Sequence, residues 1–195
     1  MSSNKGVTSI MKKILSIIII ALVIAVFYLV GCGRQLDVLQ TTPRNSPNLF
    51  VNLMVDGESV QRVRAIQGVT NWHWNGGGYL TDSLHPLQLF PCDYEEATIF
   101  LDIGDNIIEL VFSENYNPTS ISAKRWNAEY IYIGGAQLTD RHFRNWTSAE
   151  VVEKTIHLVN NGESYIFEIE ANWPSTNSFA TYAFRVISAN SKGCR

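Results

Sequence analysis

Two patterns of hydrophobic and polar residues divide the sequence at about residue 48. Ile14 to Val30 is a run of 17 positions without a charge. Such a run is long enough for a membrane helix, because spanning needs about 20 apolar residues, with a lower limit of roughly 17. From Asn48 onward the apolar residues fall into short runs separated by Gly, Asn, Asp and Pro, which is typical of β-strands and turns. The sequence therefore predicts an N-terminal hydrophobic helix followed by an all-β domain.

About nine short strands are predicted in this domain, and their spacing of 8–12 residues favours an antiparallel β-sandwich or barrel. The strongest lie at 49–55, 59–67, 97–103, 107–113, 120–126, 155–159, 164–171 and 179–188, and shorter ones at 79–81 and 130–133. Asp56-Gly57 predicts a type I′ hairpin turn, because glycine tolerates a positive φ. Asn160-Asn161-Gly162 predicts a second hairpin. Ser148 to Glu153 is predicted as a helical turn, since Thr147 or Ser148 can cap it.

The N-terminal run has the features of an export signal. Lys12 and Lys13 precede it, and it ends in Leu29-Val30-Gly31-Cys32. These four residues resemble the lipobox of bacterial lipoproteins at every position. The resemblance implies cleavage before Cys32, a lipid on the Cys32 thiol, and a mature protein anchored on the extracytoplasmic face of the cell membrane. The alternative is an uncleaved transmembrane helix, which leaves the domain on the same side because the lysines hold the N-terminus inside.

The predicted organisation has three parts. Residues 1–31 form the signal peptide, residues 32–47 a lipidated tether, and residues 48–190 the β-sandwich domain. Gly33 to Pro47 is assigned to the tether because it has no lasting hydrophobic period and contains two prolines.

The order of elements resembles an immunoglobulin-like sandwich. A Gly-Asp-Asn turn at 104–106 is followed by a strand, by Pro118, and by a strand that ends in Trp126; Tyr182 to Val186 closes the domain. The segment Gly68 to Leu89 is similar to one in uncharacterised extracytoplasmic domains of Firmicute-type bacteria, which occur in lipoproteins and beside membrane sensor modules. The resemblance implies a fold and a location, and it carries no active-site residues.

The net charge of the mature chain narrows the classes of partner. All 18 acidic residues but only 12 of the 15 basic ones follow Cys32, so the net charge of the mature chain is 12 − 18 = −6. This charge argues against nucleic acid as a partner and against a basic membrane-binding face.

The state of the other two cysteines is open. If Cys32 carries the lipid, Cys92 and Cys194 remain. A disulfide between them and two free thiols both stay open, because the envelope permits disulfides.

No catalytic or metal-binding constellation is present in the sequence. The four histidines lie in different predicted elements and lack metal-ligand spacing. Asp82, Ser83 and His85 are close in sequence, but no nucleophile-elbow motif accompanies them. We therefore predict no metal, no cofactor and no enzymatic activity.

Aromatic residues are the main candidates for ligand binding. Trp72 and Trp74 are two positions apart and share a strand face, and Tyr79 follows the glycine-rich stretch 75–78, which is predicted as a loop. Rows of aromatic rings on a β-sandwich stack on sugars or anchor protein partners. The sequence thus predicts a non-catalytic module that binds another envelope protein; the alternative is a glycan- or cell-wall-binding module that uses Trp72, Trp74 and Tyr79.

Overall fold

A computed structural model describes residues 42–90, 95–113, 116–128 and 140–188 of the chain. The strands in these residues, in chain order, are β1 (Leu49–Val55), β2 (Glu58–Arg64), β3 (Ile66–Trp74), β4 (Gly77–Thr81), β5 (Thr98–Leu101), β6 (Gly104–Phe112), β7 (Ser120–Asn127), β8 (Thr147–Ala149), β9 (Thr155–Asn160), β10 (Tyr165–Trp173) and β11 (Ser178–Ser188). Two short helices, α1 (Pro86–Leu89) and α2 (Asp140–Arg144), and a 3₁₀ turn (Pro174–Thr176) complete the described elements.

The strands form two sheets, and this confirms the predicted all-β sandwich. The first sheet has the order β2-β1-β6-β9, and all its neighbours are antiparallel. The second has the order β4-β3-β11-β10-β7-β8, and β5 also pairs with β11. The β5–β11 pair is parallel, which departs from the predicted purely antiparallel arrangement.

Aromatic side chains from both sheets meet in the space between them. Phe112 of the first sheet lies edge-on to Trp173 and to Tyr182 of the second, with ring centroids 5.9 Å apart in both pairs. Each of these three residues is buried. Edge-to-face pairs of this kind contribute about 0.5–1.5 kcal/mol beyond the burial of their area. The inner faces of both sheets therefore share one core.

Several elements lie where the sequence predicts them. Strand β1 has the predicted bounds, and β7 and β11 agree with the prediction to within one residue at each end. Asp56 and Gly57, with φ values of 50° and 84°, form the predicted turn between β1 and β2. Both residues have positive φ, as a type I′ turn requires.

The predicted hairpin around Asn160-Asn161-Gly162 is wrong. Strand β9 pairs with β6 in the first sheet, whereas β10 pairs with β7 and β11 in the second, so the chain crosses between layers here. The β5-to-β6 connection crosses in the same way. The buried side chain of Asn160 links the β9–β10 connection to the β5–β6 connection. Its Nδ2 donates to the Asp102 carbonyl oxygen at 2.7 Å and to the Ser188 Oγ at 3.2 Å.

Three local predictions are also corrected. The predicted strand 59–67 divides at Ala65 into β2 and β3, which join different sheets. The predicted loop at 75–78 is a hairpin turn, with Gly77 and Gly78 in β4. The predicted helical turn at 148–153 is not helical: β8 pairs with the edge of β7 there, and Glu153 and Lys154 have positive φ. Pairing along an open sheet edge has overridden the local capping preference.

The segment before β1 is part of the folded domain. The side chains of Trp72 and Tyr182 donate to the carbonyl oxygens of Pro43 and Pro47, at 2.9 and 2.6 Å. Ser46 is buried, and its backbone N–H donates to the Tyr79 hydroxyl at 3.0 Å. The predicted boundary between tether and domain at residue 48 is therefore too late, because Thr42 to Pro47 packs on the inner face of the second sheet.

Some predicted features lie outside the described residues. These are the signal helix, the lipidation site Cys32, the two remaining cysteines Cys92 and Cys194, and the short strand at 130–133.

We predict that Tyr182→Phe lowers the free energy of unfolding by about 1–2 kcal/mol. Burial raises the pKa of Tyr182, so its hydroxyl stays protonated and donates to Pro47. The substitution leaves the buried Pro47 carbonyl without its donor, and an unsatisfied buried group costs about 1–3 kcal/mol. Urea unfolding of the full chain in detergent measures the change.

Tyr165→Phe is the matched control, because the Tyr165 hydroxyl donates to the exposed carboxylate of Glu163. The control should lose less stability than Tyr182→Phe. Equal losses in the two variants would contradict the docking of the N-terminal segment as a stabilising interaction.

Candidate functional site

Trp72 lies in the core and has no exposed surface. Its ring packs edge-on against Trp173 and Tyr116, with centroid distances of 5.0 and 5.8 Å. Its indole N–H donates a hydrogen bond to the Pro43 carbonyl oxygen. The predicted ligand role of Trp72 is corrected, because no part of this ring is accessible for stacking.

Trp74 and Tyr79 are on the same face of the second sheet as Trp72 but are only partly buried. Trp74 lies over Gly77, whose hypothetical Cβ would be 2.9 Å from the indole Cζ2. The centroids of the Trp74 and Tyr79 rings are 6.1 Å apart. Gly77 is therefore needed for close approach of the indole, and one face of that ring is already covered by the neighbouring strand.

A polar groove lies beside these aromatics and is the best candidate site in the described part of the chain. Its volume is ≈ 600 Å³. The residues around it come from the docked N-terminal segment, from the junction of β2 and β3, and from the end of β4: Asn45, Ser46, Asn48, Arg64, Gln67, Gly68, Tyr79, Thr81 and Asp82. Among the predicted ligand residues, Tyr79 lines this groove and Trp72 and Trp74 do not.

Hydrogen bonds within the protein fix the walls of the groove. Gln67 donates from Nε2 to the Ser46 Oγ at 2.6 Å and to the Thr70 Oγ1 at 2.8 Å. The Tyr79 hydroxyl donates to the Ser46 Oγ at 3.1 Å. These bonds hold the N-terminal segment against β3 and β4, so the shape of the groove is preorganised.

Two charged side chains of opposite sign lie in the groove. Arg64 Nη2 donates to the Asn48 Oδ1 at 2.6 Å, and Asp82 Oδ1 accepts from the Ser83 backbone N–H at 2.9 Å. Both side chains are exposed. The groove can therefore offer a guanidinium and a carboxylate, together with neutral amide and hydroxyl groups.

The structure does not bring Asp82, Ser83 and His85 together as a nucleophile, base and orienting acid. The Ser83 hydroxyl donates to the Leu84 carbonyl at 3.3 Å, and the Asp82 carboxylate accepts from a backbone N–H. His85 caps α1, since its Nδ1 accepts from the Leu87 N–H at 3.2 Å. Within residues 42–90, 95–113, 116–128 and 140–188, no three His, Cys, Asp or Glu side chains are grouped as a metal site.

His85 belongs to a small aromatic cluster on the outer face of the second sheet. Its ring lies 5.1 Å from that of Trp126 and 4.5 Å from that of Phe143 in α2. Burial in this cluster lowers the pKa of His85; Glu168 opposes this effect, and Lys124 adds to it. The histidine is thus a structural part of the α1 cap.

The comparisons with known proteins add no relationship. The chain matches no protein-family model, no curated protein and no solved structure. No helix among the described residues is long and apolar enough to cross a membrane.

Sequence reasoning missed most of the groove. Arg64, Gln67 and Asp82 belong to three strands or strand ends and form no motif along the chain. Arg64 and Gln67 line the same groove because the chain passes from one sheet to the other at Ala65. The local pattern of residues 59–67 did not predict this change of sheet.

We predict that the protein loses stability in acid through His85. Because the folded pKa is lowered, the unfolded chain binds a proton more readily than the folded one. The contribution of His85 is therefore complete above its ordinary pKa of about 6.5 and is lost as the pH falls through the lowered folded pKa. Urea unfolding between pH 7.5 and pH 5 measures this slope.

His85→Asn is the test variant, because asparagine retains an N-cap acceptor but does not titrate. We expect a shallower fall in unfolding free energy below about pH 6.5. An unchanged slope would show that other groups cause the acid sensitivity.

Proposed function

We propose that the protein is a lipid-anchored extracytoplasmic lipoprotein whose immunoglobulin-like domain is a non-catalytic binding module of the bacterial cell envelope. The lipobox-like sequence at Leu29 to Cys32 supports the anchor. The observation that carries the binding role is the preorganised polar groove, in which Arg64 and Asp82 are both exposed.

The docked N-terminal segment supports a location of the domain close to the membrane. Nine residues separate Cys32 from Thr42. A chain of this length spans at most roughly 35 Å even when fully extended. The partner proposed for the groove is therefore a component of the envelope near the membrane surface, and the groove wall Asn45 to Asn48 lies on the same segment that leads to the anchor.

A glycan- or cell-wall-binding role is the second candidate. Tyr79 and Thr81 offer hydroxyl groups at the groove, and Asn45 and Gln67 offer amides. Such groups bind sugar hydroxyls. This candidate has less support than the sequence suggested, because Trp72 is enclosed in the core and contributes no stacking surface.

We predict that Cys32→Ser abolishes lipidation and membrane retention. Growth in a bacterial host with labelled palmitate, followed by detergent phase partition, measures both. Cys92→Ser is the matched control and should keep the label. Label retained on Cys32→Ser would contradict the proposed anchor, because Cys32 is the thiol that the lipobox presents.

We predict that photo-reactive residues at Asn45 and Thr81 capture the same envelope component in cells. Both positions line the groove, and both are exposed. Asn161, an exposed residue in the β9–β10 connection, is the control position. Mass analysis should identify a recurring adduct at Asn45 and Thr81 that is missing at Asn161. Identical adducts at all three positions, or none at the two groove positions, would contradict a binding role for this groove.

A further inference from the structure

The two charges of the groove are held in place but not neutralised. In the described part of the chain, Lys124 and Glu168 form an ion pair at 3.2 Å, and neither Arg64 nor Asp82 takes part in one. The charged atoms of Arg64 and Asp82 are therefore more than 4.0 Å apart, although both side chains line one groove. Two side chains of opposite charge therefore line the groove without forming an ion pair with each other.

Each of the two side chains keeps most of its hydrogen-bonding capacity. The guanidinium of Arg64 uses Nη2 for Asn48, and a guanidinium carries five N–H donors in a planar fork. The carboxylate of Asp82 uses Oδ1 for the Ser83 backbone. The bond to Asn48 orients the guanidinium, and the bond to Ser83 orients the carboxylate, so less conformational entropy is lost when a ligand binds.

The surface between the two charges has amide character. The amide N–H₂ group of Gln67 donates to Ser46 and Thr70, whereas its Oε1 accepts no hydrogen bond from the described residues. Asn45 and Thr81 also border the groove and are exposed. Such groups match the N–H and C=O groups of a peptide backbone that lies between a positive and a negative end.

We propose that the groove binds a short zwitterionic peptide, with the peptide's terminal carboxylate at Arg64 and its free ammonium at Asp82. This inference rests on the proposed binding function and names the class of its ligand. A planar guanidinium binds a carboxylate through two parallel hydrogen bonds, and a carboxylate accepts from an ammonium. A neutral saccharide in the same groove would displace water from both charges without supplying an opposite charge to either.

Charge-blocked peptides test this inference. The full chain in detergent micelles is titrated calorimetrically with glycine, diglycine and triglycine, and then with N-acetyl-triglycine and triglycine amide. We expect binding that depends on peptide length, because the two charges are separated. Blocking either terminus should weaken the binding of triglycine about tenfold, because the blocked peptide loses one hydrogen-bonded contact between opposite charges.

Two variants assign the ends of the peptide. Arg64→Gln should weaken triglycine about tenfold and leave triglycine amide unaffected, because the amide has already lost the partner of Arg64. Asp82→Asn should weaken triglycine about tenfold and leave N-acetyl-triglycine unaffected, because the acetylated peptide has already lost the partner of Asp82. Arg144→Gln and Asp105→Asn are controls that change the same charges at exposed positions outside the groove, and both should bind triglycine normally. Unchanged urea midpoints verify that the groove variants are folded.

The inference is overturned if triglycine does not bind, if blocked and free peptides bind equally, or if N,N′-diacetylchitobiose binds and triglycine does not. Cross-linking at Asn45 and Thr81 separates this failure from failure of the proposed function. A recurring adduct without peptide binding would mean that the groove binds another ligand. The absence of both would contradict the proposed binding function as well.

Discussion

The enclosure of Trp72 is the interaction on which the interior of the domain and the position of its N-terminal segment both depend. The ring contacts Trp173 and Tyr116, while its N–H holds the Pro43 carbonyl. An indole buried at this point needs both an apolar surround and an acceptor for its N–H. The segment before β1 supplies that acceptor, so a stretch without regular structure is held against the second sheet. The polar groove follows from this docking, because its wall is the same segment.

The parts of the fold that could be predicted are those that local chemistry decides. Strand β1 and its turn follow from a β-rich run that ends in Asp56-Gly57, and β11 follows from a long run rich in aromatic and β-branched residues. The choice of sheet is not local. The turn residues at 160–162 show that the chain changes direction, but they do not show whether β10 rejoins the sheet of β9. The sheet that β10 joins is decided by burial of the inner faces of both sheets. The hydrogen bond from Asn160 to the Asp102 carbonyl then stabilises the connection.

The candidate site was predictable only in part for a related reason. A period of two correctly indicated that Trp72 and Trp74 share a face, but it could not indicate what covers that face. Part of the cover comes from Thr42 to Pro47, which resembles a tether because it has two prolines and no apolar period. Its bonds to Trp72 and Tyr182 are made by the backbone carbonyls of Pro43 and Pro47, and every sequence possesses such groups. No pattern of side chains in that segment could have revealed them.

The change in the role of the aromatics changes the chemistry expected of a ligand. Accessible indoles would favour flat apolar faces, such as those of sugar rings, whereas the open part of this surface presents charged and amide groups. Recognition in such a groove depends on matching the positions of hydrogen bonds and charges, and not on buried area. Because Asn48 orients Arg64 and directly follows the docked segment Thr42 to Pro47, any displacement of that segment would disturb the cationic end of the groove. The geometry of the groove is thus coupled to the part of the chain that leads to the proposed anchor.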